Sequence, residues 1–352
     1  MKIKLTDKKE VFNFCEPYII AELGSNHNGD KELAKKLIIA AKESGADCVK
    51  FQSWSKETIF SKKVYEDNYF LKDDYRNRTD YTLERIVKEF SISEQELLDM
   101  KRFSDEVGID CTSTPFSKRE VDFLVDELQS PFIKVASMDL NNYPFLEYLA
   151  KKGLPVVLAT GLSEFYEIDR AVRTIENAGN NQIVVLHCVA LYPPKDEDVN
   201  LNNIESLQKI YPYPIGFSDH TFGFSVPLAA VAKGACIIEK HFTLDKNLFG
   251  WDHKISATPE ELEIICGESK RIQRAMGSFR FRCEEDEERK AAFRRSIVTT
   301  RTIKAGEVIR ESDIDFKRPG TGIAPAESKY VIGRKTKKDI GTDELILWKD
   351  LI

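Results

Sequence analysis

From Tyr18 onward, short apolar runs recur along the chain, and most are separated by longer stretches whose apolar positions repeat at helical spacing. Runs rich in β-branched residues predict strands, and a repeat near 3.6 predicts amphipathic helices. Eight strands are expected, at residues 18–25, 48–54, 110–116, 132–137, 156–161, 183–188, 214–220 and 236–242. Strand and helix in alternation predict a parallel sheet wrapped by helices. Eight such units before about residue 275 favour a (β/α)8 TIM barrel over a doubly wound sheet, which has fewer strands and a glycine-rich phosphate turn after the first. Here Gly24 and Gly29 are five positions apart in AELGSNHNGD, which is not the dinucleotide spacing.

Two segments interrupt the pattern. Residues 55–92, rich in tyrosine and mixed charge, make a long connection after the second strand, read either as a lid or as a solvated decoration. The opening MKIKLTDKKEVFNFCEP is read as a short hairpin closing the barrel floor. Beyond the barrel domain (1–275), residues 276–293 form a charge-dense linker, and 294–352 show short strands punctuated by Gly and Pro, the mark of a small β-rich module.

At 352 residues, 42 % hydrophobic and 31 % charged, the composition excludes fibrous and disordered classes. The net charge of −6 supplies no global positive field for nucleic acid or an anionic membrane, so any anion site must be local. No run approaches the ~20 apolar residues of a membrane span, and the opening lacks the apolar core of a signal peptide, so a cytoplasmic protein is expected. Seven cysteines with no CxxC pair, among them Cys48, Cys111, Cys188 and Cys236 in or beside apolar runs, are read as reduced core thiols.

In a (β/α)8 barrel the chemistry sits at the carboxyl ends of the strands. Those ends carry Glu22, Lys50, Gln52, Thr112, Thr114, Lys134, Ser137, Thr160, His187, Ser218, Asp219, His220, Glu239, Lys240 and His241. Four of the five histidines, His27, His187, His220 and His241, lie at such ends. Alternation points Lys50 with Gln52, Thr112 with Thr114, and Glu239 with His241 to one side of their strands. A lysine inside a barrel must be paired or offered to an anion, so Lys50 and Lys134 are read as receptors for phosphate or carboxylate, or as structural partners of Glu22 and Glu239. His220 and His241 are read either as two ligands of a divalent metal, with Glu239 and Asp252 nearby, or as hydrogen-bonded structural imidazoles.

The motifs IIAELGSNHNG, GADCVKFQ, STPFS, IKVAS, LHC with Tyr-Pro at Tyr192, GFSDHT, GACIIEKHFTLDK and KRPGTGI resemble those of the sialic acid (N-acetylneuraminate) synthases, across nearly the whole chain. The resemblance implies a barrel with a C-terminal antifreeze-like (SAF) domain, and a homodimer whose tails are swapped over each other's sites. It implies condensation of phosphoenolpyruvate with an open-chain N-acetylated hexose of the N-acetylmannosamine type, giving a nonulosonic acid and phosphate. Lys50, Thr114, Lys134, Ser137 and Ser218 would then contact phosphoenolpyruvate, while His220 and His241 would hold Mn²⁺, or Mg²⁺ or Co²⁺ in its place. Glu22, Gln52, Tyr192, Glu239 and Asp252 would surround the sugar and the reacting centre. Arg318 of the other subunit would meet the sugar's acyl-amino group.

Three positions depart from the family pattern: Ala190 replaces an Asn, Ala159 a Ser, and Trp251 the Pro of GPDH. They leave legionaminate- and pseudaminate-type precursors open. A Schiff-base aldolase using Lys50 or Lys134 is the enzymatic rival. A non-catalytic carbohydrate-binding protein is the rival from another class, and it leaves the crowding at the strand ends unexplained.

Overall fold

Each of the eight expected strands forms in the computed structural model, which describes residues 1–67, 82–278, 281 and 284–352. After β1 (Ile3–Lys4) and β2 (Glu10–Val11) come β3 (Tyr18–Gly24), β4 (Cys48–Gln52), β5 (Asp110–Thr114) and β6 (Ile133–Val135). The series continues with β7 (Val156–Ala159), β8 (Ile183–Cys188), β9 (Ile215–Asp219) and β10 (Ile237–His241). The eight longer strands make one parallel sheet in the order β5-β4-β3-β10-β9-β8-β7-β6. Side chains join its two ends, Thr112 Oγ1 lying 2.6 Å from Ser130 Oγ and donating to the Phe132 carbonyl at 3.3 Å. The result is a (β/α)8 barrel.

Helices begin where the sequence caps them. Asp30 accepts from the amides of Glu32 and Leu33 to open α1 (Lys31–Glu43). The connection after β4 holds α2 (Lys56–Ile59), α3 (Lys62–Asp67) and α4 (Leu83–Phe90), while 68–81 lie outside the described residues. The Ser93/Glu96 capping box starts α5 (Glu94–Val107), which ends on Gly108 in the left-handed region at φ 78°. Then come α6 (Lys118–Asp126), α7 (Tyr143–Ala150), α8 (Phe165–Asn177), α9 (Asp196–Val199), α10 (Asn202–Ile210), α11 (Ser225–Ala232) and α12 (Pro259–Met276). The main core lies between their apolar stripes and the outward strand faces.

Inside the barrel the pleat separates floor from site. Ile20, Cys48, Phe132, Val157, Leu186 and Ile237 form an apolar floor with Ile3, Leu5 and Val11 of the β1–β2 hairpin, which closes that end as expected. Two residues further along the same strand faces stand Glu22, Lys50, Lys134, Ala159, Cys188 and Glu239. At Gly216 a Cβ would come within 2.5 Å of Leu186 Cδ2, so the floor admits only glycine there.

The barrel unit runs through Gly277, and Ser278–Ile352 form a second unit. That unit begins within the segment read as linker, which carries α13 (Glu287–Phe293) opened by an Asp286 cap. Strands β11 (Ser296–Thr299) and β12 (Ile314–Lys317) pair antiparallel over a core of Ile297, Ile303, Ile309, Ile323, Val331, Ile346 and Leu351.

Candidate active site

One layer of the barrel lumen collects the charged groups. Lys50 forms an ion pair with Glu22 Oε2, lies 3.8 Å from Glu239 Oε2, and donates to Thr114 Oγ1 at 2.8 Å. Lys134 Nζ is 3.4 Å from Glu239 Oε1, which also accepts from Ser218 at 3.1 Å. Gln52 Nε2 donates to Glu22 Oε1 at 2.9 Å. All four ionisable side chains are at most 7 % exposed, so each charge is tolerable only because another faces it.

The two carboxylates differ. Burial pushes Glu22 up to about 7, opposed by Lys50 and reinforced by the negative Glu239. Burial acts on Glu239 too, but Lys134 and Lys50 outweigh it and hold this carboxyl below its usual range. For Lys50, burial works against the charge while Glu22 and Glu239 outweigh it, and its pKa is raised. A Schiff-base lysine needs the opposite shift.

His220 and His241 end adjacent strands, with ring centroids 5.5 Å apart. The Nδ1–H of His220 donates to the Val189 carbonyl at 2.8 Å, leaving Nε2 as its second ring nitrogen. Burial works against the charged ring, but the Cys188 sulfur beside it outweighs burial and raises its pKa. His241 Nδ1 is buried with no hydrogen-bond partner and lies 3.7 Å from Asp252 Oδ2. Burial, with His220 and the lysines, drives the pKa of His241 well down, which keeps its ring neutral. Two imidazoles with a ring nitrogen each to offer fit a divalent ion whose other positions go to water and substrate oxygens. Among the described residues no group of three His, Cys, Asp or Glu side chains is arranged to hold a metal. Asp252 is raised to about 6 by burial, against the pull of His220 and Lys50.

The other expected residues are distributed unevenly. Ser137 Oγ accepts from the Gly161 amide at 3.0 Å, and the Tyr192 ring lies over His220 with centroids 4.1 Å apart. Arg318 belongs to the second unit, exposed, with its guanidinium 4.9 Å from the Phe293 ring centroid. His187, Thr160, Asp219 and Lys240 face away from the lumen: His187 Nε2 donates to the Val199 carbonyl at 2.6 Å, and Thr160 donates to that of Leu186 at 3.0 Å. Buried His27 sits in the turn after β3, where its Nδ1 accepts from the Gly29 amide at 3.1 Å.

Cys188, read as a core thiol, is in fact in phase with Leu186 and faces the site, within 3.7 Å of Ser137 Oγ. Burial would raise its pKa, but His220 and Lys134 outweigh it and hold the thiol low. Sequence reading also passed over Trp54, in phase with Gln52, whose Nε1–H donates to Gln52 Oε1 at 2.8 Å. Alternation along the strands was the available signal for both.

The NeuB family model matches residues 37–280, more than half the chain, and the SAF domain model matches 294–352. The chain belongs to the NeuB family. It is 41 % identical to an uncharacterized protein of Methanocaldococcus jannaschii, over 100 % of this chain and 99 % of that one. It is 37 % identical to the N,N'-diacetyllegionaminic acid synthase of Legionella pneumophila, over 95 % of this chain and 94 % of that one. Among solved structures, the N-acetylneuraminic acid synthetase of Leptospira borgpetersenii superposes with a TM-score of 0.71 at 33 % identity, covering 82 % of this chain and 95 % of that one. These NeuB-family relatives carry different product names, so family membership leaves the sugar open.

Proposed function

We propose that this NeuB-family chain condenses phosphoenolpyruvate with an open-chain N-acetylated hexose and water, releasing phosphate and a nonulosonic acid. The observation that carries the reading is the lumen layer in which two lysines and two carboxylates of different basicity converge, with two imidazoles one pleat beyond it at the carboxyl end of the strands. Lys50 and Lys134 supply the positive charge for the carboxylate and phosphate of phosphoenolpyruvate, and the hydroxyls of Thr114, Ser137 and Ser218 complete that cradle. A divalent ion such as Mn²⁺ on His220 and His241 would polarise the sugar's aldehyde oxygen when bound.

The enol carbon of phosphoenolpyruvate forms the new bond to the aldehyde carbon, and the adjoining carbon, left electron-poor, takes up water before its bond to phosphate breaks. Glu22 is the carboxylate suited to take a proton from that water, because a base poised near neutrality is the effective one. Glu239, held anionic between two lysines, keeps the layer's charge balanced and Lys134 in place. Gln52, Tyr192 and Asp252 lie around the hexose end, and Arg318 reaches the acyl-amino group of a sugar held by a second subunit. The SAF match and the exposed KRPG segment support that swapped homodimer.

The test is phosphate release from phosphoenolpyruvate with Mn²⁺ against N-acetylmannosamine and its diacetamido-trideoxy counterparts. Release that depends on sugar and stops in excess EDTA is expected. Borohydride trapping of substrate on a lysine, or full activity in EDTA, would move the case to the Schiff-base aldolase.

A further inference from the structure

Trp251 occupies the position where the family pattern carries proline, and the structure gives it a neighbour. Its ring centroid lies 5.6 Å from that of Trp54, with the planes inclined by 49°. Trp54 is buried at 3 % exposure and fixes Gln52, since its indole N–H holds Gln52 Oε1 and leaves the amide nitrogen to Glu22. Asp252 follows Trp251 directly. A Cβ placed on Gly24 would lie 3.1 Å from Glu22 Oε1, 3.2 Å from Gln52 Nε2 and 3.6 Å from Asp252 Oδ2, so these three polar groups converge on one spot. Trp54 is joined to that spot through Gln52, and Trp251 adjoins it through its chain neighbour Asp252.

Behind the pair the connection after β4 supplies a brace. Leu83, Ile86, Val87 and Phe90 of α4 form an apolar cluster with Trp54, against which Phe116, Phe249 and Trp251 pack. Phe90 and Phe249 meet edge-on at 5.9 Å. A wall built in this way keeps its shape when a ligand presses on it.

We propose that Trp54 and Trp251, braced by α4, form the wall of the hexose subsite and select a sugar whose far end carries a methyl group rather than a hydroxymethyl group. The inference rests on the condensation reading above. Polar convergence at Glu22, Gln52 and Asp252 holds one stretch of the sugar, and the next atoms along it meet carbon surface. A methyl group gains contact there, whereas a hydroxyl gives up water for an aromatic face. Discrimination by one such group amounts to about tenfold to a hundredfold. Trp251 is the contact residue, and Trp54 is a positioning residue acting through Gln52.

The chain has three tryptophans, and Trp348 belongs to the second unit, so Trp348→Phe leaves the two wall indoles as emitters. N-acetylmannosamine and its 6-deoxy analogue, and the corresponding 2,4-diacetamido pair, are titrated against this variant by fluorescence with phosphoenolpyruvate present. Rates are then measured for wild type, Trp251→Ala, Trp251→Phe and Trp54→Phe.

Emission should change on sugar binding, and wild type should prefer the 6-deoxy member by about tenfold or more in kcat/KM. Trp251→Ala should bring that ratio towards one with the KM of phosphoenolpyruvate within about twofold, and Trp251→Phe should restore it. Trp54→Phe should raise the KM of both sugars in a pair alike. An active wild type whose ratio is one, or whose ratio survives Trp251→Ala, overturns the wall alone. No emission change and no phosphate release with any sugar overturns the condensation reading, and the wall with it.

Discussion

Replacing Lys240 by methionine tests the ion pair on which the catalytic end of the barrel is built. Lys240 and Asp219 are fully buried on the outer side of β10 and β9, with Lys240 Nζ 2.6 Å from Asp219 Oδ2. Lys240 also donates to the Thr221 carbonyl, and Asp219 accepts from the Thr221 amide at 2.9 Å. Thus the pair clamps both sides of His220. Lys240→Met fills the volume but leaves Asp219 charged in the core with one hydrogen bond, a loss of about 3–5 kcal/mol. For a domain of this size that is a fall in melting temperature of roughly 5–15 °C.

Asp219→Asn on top of Lys240→Met removes the stranded charge and keeps an acceptor for the Thr221 amide, so the double variant should regain half or more of the loss. Thermal unfolding followed by calorimetry at constant pH measures both. A single variant melting within about 1 °C of wild type, or a double variant no better than the single, refutes the reasoning that links burial of the pair to its cost.

Other outcomes follow from the site. Lys50→Met and Lys134→Met should each lower kcat/KM for phosphoenolpyruvate by about 10- to 100-fold, since a charge-assisted bond is worth ~1.5–3 kcal/mol; unchanged kinetics in both would make the lysines structural. With Glu22 raised to about 7 and acting as base, the rate should climb as pH rises through neutrality and the proton is lost, and Glu22→Gln should abolish that limb. A limb that persists in the Gln variant assigns the base elsewhere. Arg318→Ala should raise the sugar's KM far more than that of phosphoenolpyruvate. Mixed with Lys50→Met subunits at low sugar it should give more activity than the two variants assayed separately, and heterodimers that form without that gain would rule out the tail swap.

Strand positions and the lumen face of β4 and β10 were legible because the pleat has a fixed period, so Lys50, Gln52, Glu239 and His241 could be aligned before any coordinates. The same rule, applied to every strand, would have removed His187, Thr160 and Lys240, which fall out of phase and face the helices. What sequence could not show was which lysine meets which carboxylate. Those pairings depend on distances between strands far apart in the chain, such as β6 and β10 for Lys134 and Glu239. The long connection after β4 was read as a lid or a solvated decoration because the described part of it packs its apolar residues on Trp54 and Trp251, not on the main core. Cys188 was misplaced because an apolar run marks burial but does not say which face is buried.

The junction between β5 and β6 sets where this cylinder yields. Elsewhere around the barrel neighbouring strands are laced by backbone ladders, whereas here the link described above runs through Thr112, Ser130 and the Phe132 carbonyl. Hydroxyl groups can trade such partners for water one at a time, so amide protons beside this seam should exchange with solvent ahead of those in β3 and β10. The barrel is a sheet rolled until its edges meet and fastened there by two hydroxyls.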